Sequence, residues 1–228
     1  MRELTNFCRG CGACYLICTH GAIQIKENNM GFFQAYINEE MCTSCGACKL
    51  ICEQSKKGMF ELKDAEHYVG VSKNKVILNK SSSGGIGYVF AKSIICHGGI
   101  SCGVIYNYEH DRAEHILCKN INDAQKTQGS KYLQSYCIHG FDLALKQKEK
   151  TIVFGTPCQI AGFRNIINYK KLDNFLLVDI FCHGVPSTKI WRNHINSIRK
   201  NYNTKRNDSI ITFPNRRTIE KPRSHADR

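Results

Sequence analysis

Residues 22–26 and 32–37 are two short, largely apolar stretches, with Asn-Asn-Met-Gly at 28–31 between them. This pattern predicts two short strands joined by a turn. Residues 53–64 break the pattern and read as a linker. Beyond them the chain changes to an α/β character. Residues 67–72 predict a strand, and the small-residue loop Ser81-Ser82-Ser83-Gly84-Gly85 leads into an apolar-periodic run, 86–96, that predicts a helix. Strands are expected over 100–106 and 114–118, and a short helix over 123–128. A better helix is expected over 136–148, where Ile138, Phe141, Leu143 and Leu145 stand among Lys and Gln. A strand at 151–154, a Gly-Thr-Pro turn at 155–157, a helix at 158–167 and an apolar strand at 174–181 make a strand–helix–strand unit. Such a unit implies parallel strands with a crossover helix. Pro186 is expected to open a further helix running to residue 200. The closing stretch PNRRTIEKPRSHADR has few apolar residues and no period, which predicts disorder.

Composition adds one unusual fact. The 228 residues include 14 cysteines. A secreted disulfide framework is one source of so many. The start, MRELTNFCRGCGAC, lacks the basic and then apolar profile of a secretory signal, and the cysteines are bunched rather than spread. No run approaches the ~18 apolar residues of a membrane span. The expectation is a cytoplasmic protein with reduced thiols. The net charge is +13, of which +7 comes from residues 192–228, with ten Lys/Arg against three Asp/Glu. No nucleic-acid motif accompanies this charge, so a nucleic-acid partner is disfavoured.

The bunched cysteines form an internal repeat. CRGCGACYLIC at 8–18 matches CTSCGACKLIC at 42–52, offset by 34 residues, with every cysteine on a cysteine. Each run is Cys-x₂-Cys-x₂-Cys-x₃-Cys, the spacing of two-cluster ferredoxins, in which the fourth cysteine ligates the other cluster. Cluster one should take Cys8, Cys11, Cys14 and Cys52, and cluster two Cys42, Cys45, Cys48 and Cys18. The fourth cysteine is expected to start a helix that carries it toward the second cube. Zinc is the competing reading, but zinc sites pair Cys-x₂-Cys units and have no role for a third cysteine at that spacing. Gly12 and Gly46 are placed to relieve crowding where backbone wraps a cluster. Thr19 and Glu53 stand where ferredoxins usually have Pro, which should alter loop rigidity and potential without removing ligands. The fold class expected is α+β: a ferredoxin-like two-cluster module, 1–55, followed by an incomplete α/β domain in two parts, 65–140 and 141–205, and a basic tail, 206–228.

Two further cysteines, Cys158 in GTPCQ and Cys182 in FCHG, each follow an expected parallel strand by a few residues. Open α/β sheets bind ligands at that carboxyl edge. The thiols there either ligate a further cluster, face a redox cofactor, or simply pack as small apolar groups. The Ser-rich loop before a helix suits a phosphate, and Lys131 in GSKYLQS could add charge to it.

The order of motifs, a duplicated ferredoxin run, SSSGG, GSKYLQS, GTPCQIAG and CHGVPS, resembles the family of coenzyme F-420 hydrogenase/dehydrogenase beta subunits, in the version with a fused two-cluster ferredoxin. The resemblance covers about residues 5–200. It implies an iron–sulfur flavoprotein with two [4Fe–4S] clusters and FAD, part of an oxidoreductase that passes electrons between clusters and a two-electron acceptor. It places Ser82, Ser83, Gly84, Gly85, Gly155, Thr156 and Gln159 near the flavin, and makes Cys158 and Cys182 candidate ligands or neighbours of a third cluster. Family members usually continue further, with another Cys-x₂-Cys, whereas this chain has no cysteine after Cys182. It therefore reads as a C-terminally truncated version. The expected partner is a redox protein or a small electron acceptor. No side chain is assigned as a catalytic acid or base. The residues also leave open a plain ferredoxin-type electron carrier whose C-terminal region is inert or used for docking.

Overall fold

The computed structural model describes residues 2–5, 7–55 and 65–203. The N-terminal module is a small antiparallel sheet with two short helices. Its strands are β1 (Arg2–Glu3), β2 (Ile23–Glu27) and β3 (Phe33–Ile37), in the order β1-β3-β2. The expected hairpin forms one residue later than the sequence pattern suggests. Its turn is held by Asn28, whose Oδ1 accepts from the N–H groups of Met30 and Phe32, both at 3.0 Å. The two helices are α1 (Ala13–Ile17) and α2 (Ala47–Ile51). The cysteine repeat thus corrects one expectation: each helix contains the third cysteine and ends at the fourth, Cys18 or Cys52, which serves as its C-cap.

The second unit is a four-stranded sheet ordered β5-β4-β6-β7, from β4 (Ile100–Asn107), β5 (Arg112–Cys118), β6 (Thr151–Gly155) and β7 (Phe175–Asp179). β4 and β5 form an antiparallel hairpin, while β4, β6 and β7 run parallel. Helices α3 (Lys75–Asn79), α4 (Ile86–Cys96), α5 (Ile121–Lys126) and α6 (Ile138–Leu145) precede the crossover helix α7 (Pro157–Lys170), and α8 (Thr188–Tyr202) follows β7. The core between sheet and helices holds Phe141, Phe163, Ile152, Val153 and Cys102, all fully buried. His115, Phe141, Phe163 and Phe175 stack edge to face in series at 4.7, 4.9 and 5.3 Å.

Several expectations fail here for local reasons. Residues 67–72 are not a strand: among the described residues they pair with no strand, and Ser72 N–H instead bonds Gly84 O at 2.8 Å. The sequence pattern does not announce the short helix α3, although Asn74 caps it by accepting from Val76 and Ile77. α6 begins at Ile138 because Tyr136 is held beside β5, donating to Ala113 O and accepting from His115 N–H. Helix α8 starts after Ser187, which caps it, rather than at Pro186. Most of the expected linker (56–64) and the basic tail beyond 203 lie outside the described residues. Among the described residues no helix is long and apolar enough to cross a membrane.

Helix α8 clasps both units. Thr188 donates through N–H and Oγ1 to Gly31 O in the module hairpin, at 2.9 and 2.7 Å. Arg192 makes a bidentate pair with Glu27 on β2, both bonds 2.7 Å. Farther along, Trp191 Nε1 donates to Tyr106 Oη at 2.8 Å, and Arg199 forks onto buried Asp111 at 2.6 and 2.8 Å. Removing one partner of a buried pair strands the other charge. Arg199→Ala should therefore destabilise the protein by about 3 kcal/mol, read as a lowered denaturation midpoint.

Candidate functional site

The cysteine runs are positioned by two identical backbone devices. Gly12 and Gly46 cap α1 and α2 in the left-handed region, at φ +77° and +78°. This conformation turns each chain sharply after its second cysteine, so three sulfurs of a run gather on one loop. The fourth cysteine of each run then points across to the other loop. Burial is the chief influence raising the thiol pKa of Cys11, to about 12, and of Cys14, and in both cases the neighbouring sulfurs of Cys8 and Cys52 add to it. Cys48 is likewise raised, first by burial and further by Cys42 and Cys45. Cys52, from the second run, thus sits electrostatically with the first. Cys18, from the first run, lines a cavity of ≈ 120 Å³ with Cys42, Cys45 and Cys48. Ile23 and Ile37 form its apolar wall.

These donors suit an iron–sulfur cube. Crowded, buried thiols stay protonated at neutral pH unless a cationic centre takes the proton's place. Backbone N–H groups of Gly10 and Ala35 donate to Cys8 Sγ at 3.4 and 3.3 Å. Further backbone N–H groups reach the sulfurs of Cys11, Cys14 and Cys48. Hydrogen bonds to the sulfurs are one of the influences that set a cluster's potential. Among the described residues no three His, Cys, Asp or Glu side chains converge as ligands of a single ion. The second cysteine set encloses a space instead.

The first loop is pressed against the α/β unit. A Cβ on Gly12 would overlap Ile138 Cδ1, and one on Gly162 of α7 would lie 2.9 Å from Cys11 Sγ. Gln134 stitches the contact: its Oε1 accepts from Phe33 N–H at 2.6 Å and its Nε2 donates to Arg9 O and Phe33 O. Cys137 Sγ donates to Cys11 O at 3.2 Å. Asn165 Nδ2 donates to Ile51 O at 2.9 Å, next to Cys52. Gln134, Cys137, Gly162 and Asn165 carry no spacing signal of their own, since their roles arise only from the docking.

A cavity of ≈ 730 Å³ lies on the other side of β6. Ser82, Ser83, Gly84, Gly85, Lys131, Gly155, Thr156 and Gln159 all line it. Gly103, Phe90, Tyr68 and Ile180 do so too, and no sequence motif singles them out. Ser82 Oγ accepts from Ser130 N–H at 2.8 Å, tying two loops of the wall together. Burial draws Lys131 down to about 8. Its Nζ donates to the carbonyls of Thr127 and Gln128 at 3.0 and 2.9 Å, so it closes the end of α5 at the cavity wall. Gln159 and Thr156 form a capping box that starts α7, and Gln159 Nε2 reaches Ser135 O and Oγ.

Cys158 and Cys182 follow the carboxyl ends of neighbouring parallel strands, and neither lines the large cavity. Cys158 stands between the two sites. Its Sγ is 3.2 Å from Thr156 Oγ1, and it interacts electrostatically with Cys11 and Cys182. Burial raises the Cys158 thiol, which the Thr156 hydroxyl partly opposes. Cys182 is exposed beside Phe181, which is 98% exposed.

Fold and site define a dicluster ferredoxin module docked on an α/β domain with a cofactor-sized cavity. Residues 7–55 match the model of the 4Fe-4S dicluster domain, and residues 148–216 match that of the C terminus of the coenzyme F420 hydrogenase/dehydrogenase beta subunit. The chain thus matches a 4Fe-4S dicluster domain near its start and the C terminus of the coenzyme F420 hydrogenase/dehydrogenase beta subunit in its later part. It is similar to the F component of the F(420)H(2) dehydrogenase of Methanosarcina mazei, at 26% identity over 201 residues, covering 81% of this chain and 57% of that protein. The chain thus spans little more than half the length of that curated relative. A chain in the structure of the F420-reducing [NiFe] hydrogenase complex from Methanosarcina barkeri aligns with a TM-score of 0.46 at 22% identity, over 61% of this chain and 52% of that one.

The repeat offers an internal control. Gly12→Ala and Gly46→Ala impose the same left-handed strain, roughly 1 kcal/mol each. Only the first meets a neighbour, Ile138, whereas among the described residues nothing lies within 4 Å of a Cβ on Gly46. Gly12→Ala should therefore cost about 1–3 kcal/mol more than Gly46→Ala, compared by denaturation midpoints of the two iron-loaded variants.

Proposed function

We propose that the chain is the electron-transfer part of a flavin-dependent oxidoreductase, with cluster one as the inner centre and cluster two as the outer one. In this reading Cys8, Cys11, Cys14 and Cys52 hold the inner [4Fe–4S] cluster, and Cys18, Cys42, Cys45 and Cys48 the outer. Residues 65–140 and 141–205 form the flavin-binding part. FAD occupies the ≈ 730 Å³ cavity, a volume within the usual range for cofactor sites. Flavin, when bound, exchanges an electron pair with a two-electron acceptor and single electrons with clusters.

The single observation that carries this reading is that one helix joins the cavity to the cluster ligands. Thr156 and Gln159 at the start of α7 line the cavity, and Gly162 one turn on lies against Cys11 Sγ. The chain's residues otherwise bind and orient. The Ser82–Gly85 loop faces the anionic end of a dinucleotide with the N-terminus of α4 behind it. Gly103 keeps one wall free of a side chain, and a Cβ there would press on Thr127. Phe163 and its stacked neighbours keep the sheet beneath α7 dry. Cysteines bunched at cluster-ligand spacing suit a reducing, cytoplasmic setting. The electron acceptor is a deazaflavin or another two-electron carrier entering at the cavity mouth, and the electron outlet is a redox partner protein.

Protein purified without oxygen should hold about eight irons and, after incubation with FAD, about one flavin per chain, read from absorbance and iron analysis. Ser83→Glu places a negative charge at the phosphate end. It should weaken FAD binding roughly tenfold or more while leaving the iron content unchanged. Full clusters without flavin uptake would contradict the flavin reading and leave a plain electron carrier.

A further inference from the structure

Residues 66–72 run along the large cavity without belonging to the sheet. Glu66, Tyr68 and Gly70 line the cavity, whereas His67, Val69 and Val71 do not. Every second residue thus faces inward, as in an extended strand, and Val69 on the outer side is fully exposed. The segment has little to hold it. Among the described residues its one backbone–backbone bond is Ser72 N–H to Gly84 O, at 2.8 Å. Just before that bond Gly70 crosses Gly84 closely, and a Cβ on Gly84 would overlap Gly70 O. A Cβ on Gly70 would lie 3.2 Å from the side chain of Ile86 on α4. Residues 66–70 are therefore anchored at one end, against the Ser82–Gly85 loop. A segment with so few backbone bonds opens locally at little free-energy cost.

Tyr68 stands out in this segment. It is a large aromatic residue that lines a cavity and yet is 82% exposed. Its hydroxyl donates to Glu66, the neighbour on the same inward row. Ile86, Phe90 and Phe154 supply apolar lining to the same cavity. A ring left this open is buried only when the cavity is filled. Aromatic side chains cover flat ring systems best, by offset stacking. Tyr68 is two residues from Gly70, about 7 Å along an extended chain. A phosphate at the Ser82–Gly85 loop and a ring one sugar unit away from it are separated by a similar length.

We propose that Tyr68 covers a ring of the bound flavin dinucleotide, and that residues 66–70 close over it as a strap that pivots where Gly70 crosses Gly84. This inference rests on the flavin reading above and adds to it a residue that touches the cofactor. The alternation along the strap gives it an inner and an outer side, so neighbouring residues have opposite roles. Tyr68 meets the cofactor, and Val69 meets only solvent.

The test uses the full iron-loaded chain, kept without oxygen, with FAD as the probe. Chymotrypsin cuts extended chain after exposed aromatic residues, so it should cut after Tyr68 when FAD is absent. Excess FAD should slow that cut by about tenfold or more. Tyr202, exposed at the end of α8, should be cut at the same rate with FAD or without it. Tyr68→Ala should weaken FAD binding by about three- to tenfold in a titration, with the iron content unchanged. Tyr68→Phe keeps the ring and should bind as the wild type does, which separates the ring from the hydroxyl bond to Glu66. Val69→Ala, on the outer side, should also bind as the wild type does. Equal affinities for Tyr68→Ala and wild type would overturn the inference. So would a cut after Tyr68 that ignores FAD, or a Tyr68→Phe variant as weak as Tyr68→Ala. In each of these cases FAD still binds and the flavin reading stands. A wild type that takes up no FAD would overturn the flavin reading, and the strap with it.

Discussion

The structure depends on the close approach of the first cysteine loop to helix α7. Gly162 leaves room for Cys11 Sγ, and Gly12 leaves room for Ile138. A Cβ at Gly162 would press on Cys11 Sγ, and one at Gly12 would force Ile138 to shift. Around this contact the polar groups are matched: Gln134 satisfies the backbone of Phe33 and Arg9, Cys137 that of Cys11, and Asn165 that of Ile51. Buried polar groups are costly when unpaired, so these bonds favour the docked geometry over any that would strand the same groups. Helix α8 then clasps the far side through Thr188 and Arg192.

This docking decides which cysteine loop lies inside. Because α7 begins at the cavity wall and continues beneath the first loop, one helix touches both sites. Its capping residues Thr156 and Gln159 line the cavity, Cys158 lies between them in the chain, and Gly162 and Asn165 meet the module one and two turns later. The spacing of 3–4 residues from Cys158 to Gly162 and on to Asn165 puts these positions along one face of the helix. The second loop, built on the same backbone, is left to solvent.

Much of this is legible in the sequence because some signals are local. The cysteine spacing and its repetition point to two like loops and a set of candidate ligands with no knowledge of the tertiary fold. The stretch around β6 and α7 is equally clear, since an apolar strand, a Gly-Thr-Pro turn and a capped helix each announce themselves. Other features depend on partners distant in the chain. Residues 67–72 suit a strand by sequence, but among the described residues they pair with none, and the segment instead becomes cavity wall through Tyr68 and Gly70. Tyr136 fits a helical pattern, yet its backbone pairs with β5. Spacing suggests that the fourth cysteine reaches the other loop, but not that it ends its helix. Lys131 suits a phosphate contact by sequence, and the structure places its ammonium on the end of α5 at the cavity edge. The roles of Gln134, Cys137 and Gly162 exist only once two units meet.

The crossed ligand sets and the inner position of cluster one form the central claim, and anomalous diffraction at the iron edge from crystals grown without oxygen tests it most directly. The account predicts two four-iron sites, one bonded by Cys8, Cys11, Cys14 and Cys52 and lying nearer Cys158 and Thr156, the other bonded by Cys18, Cys42, Cys45 and Cys48 and lying at the surface. Iron sites in which each cysteine run closes on its own cluster, or in which the surface cluster is the one beside Cys158, would contradict it.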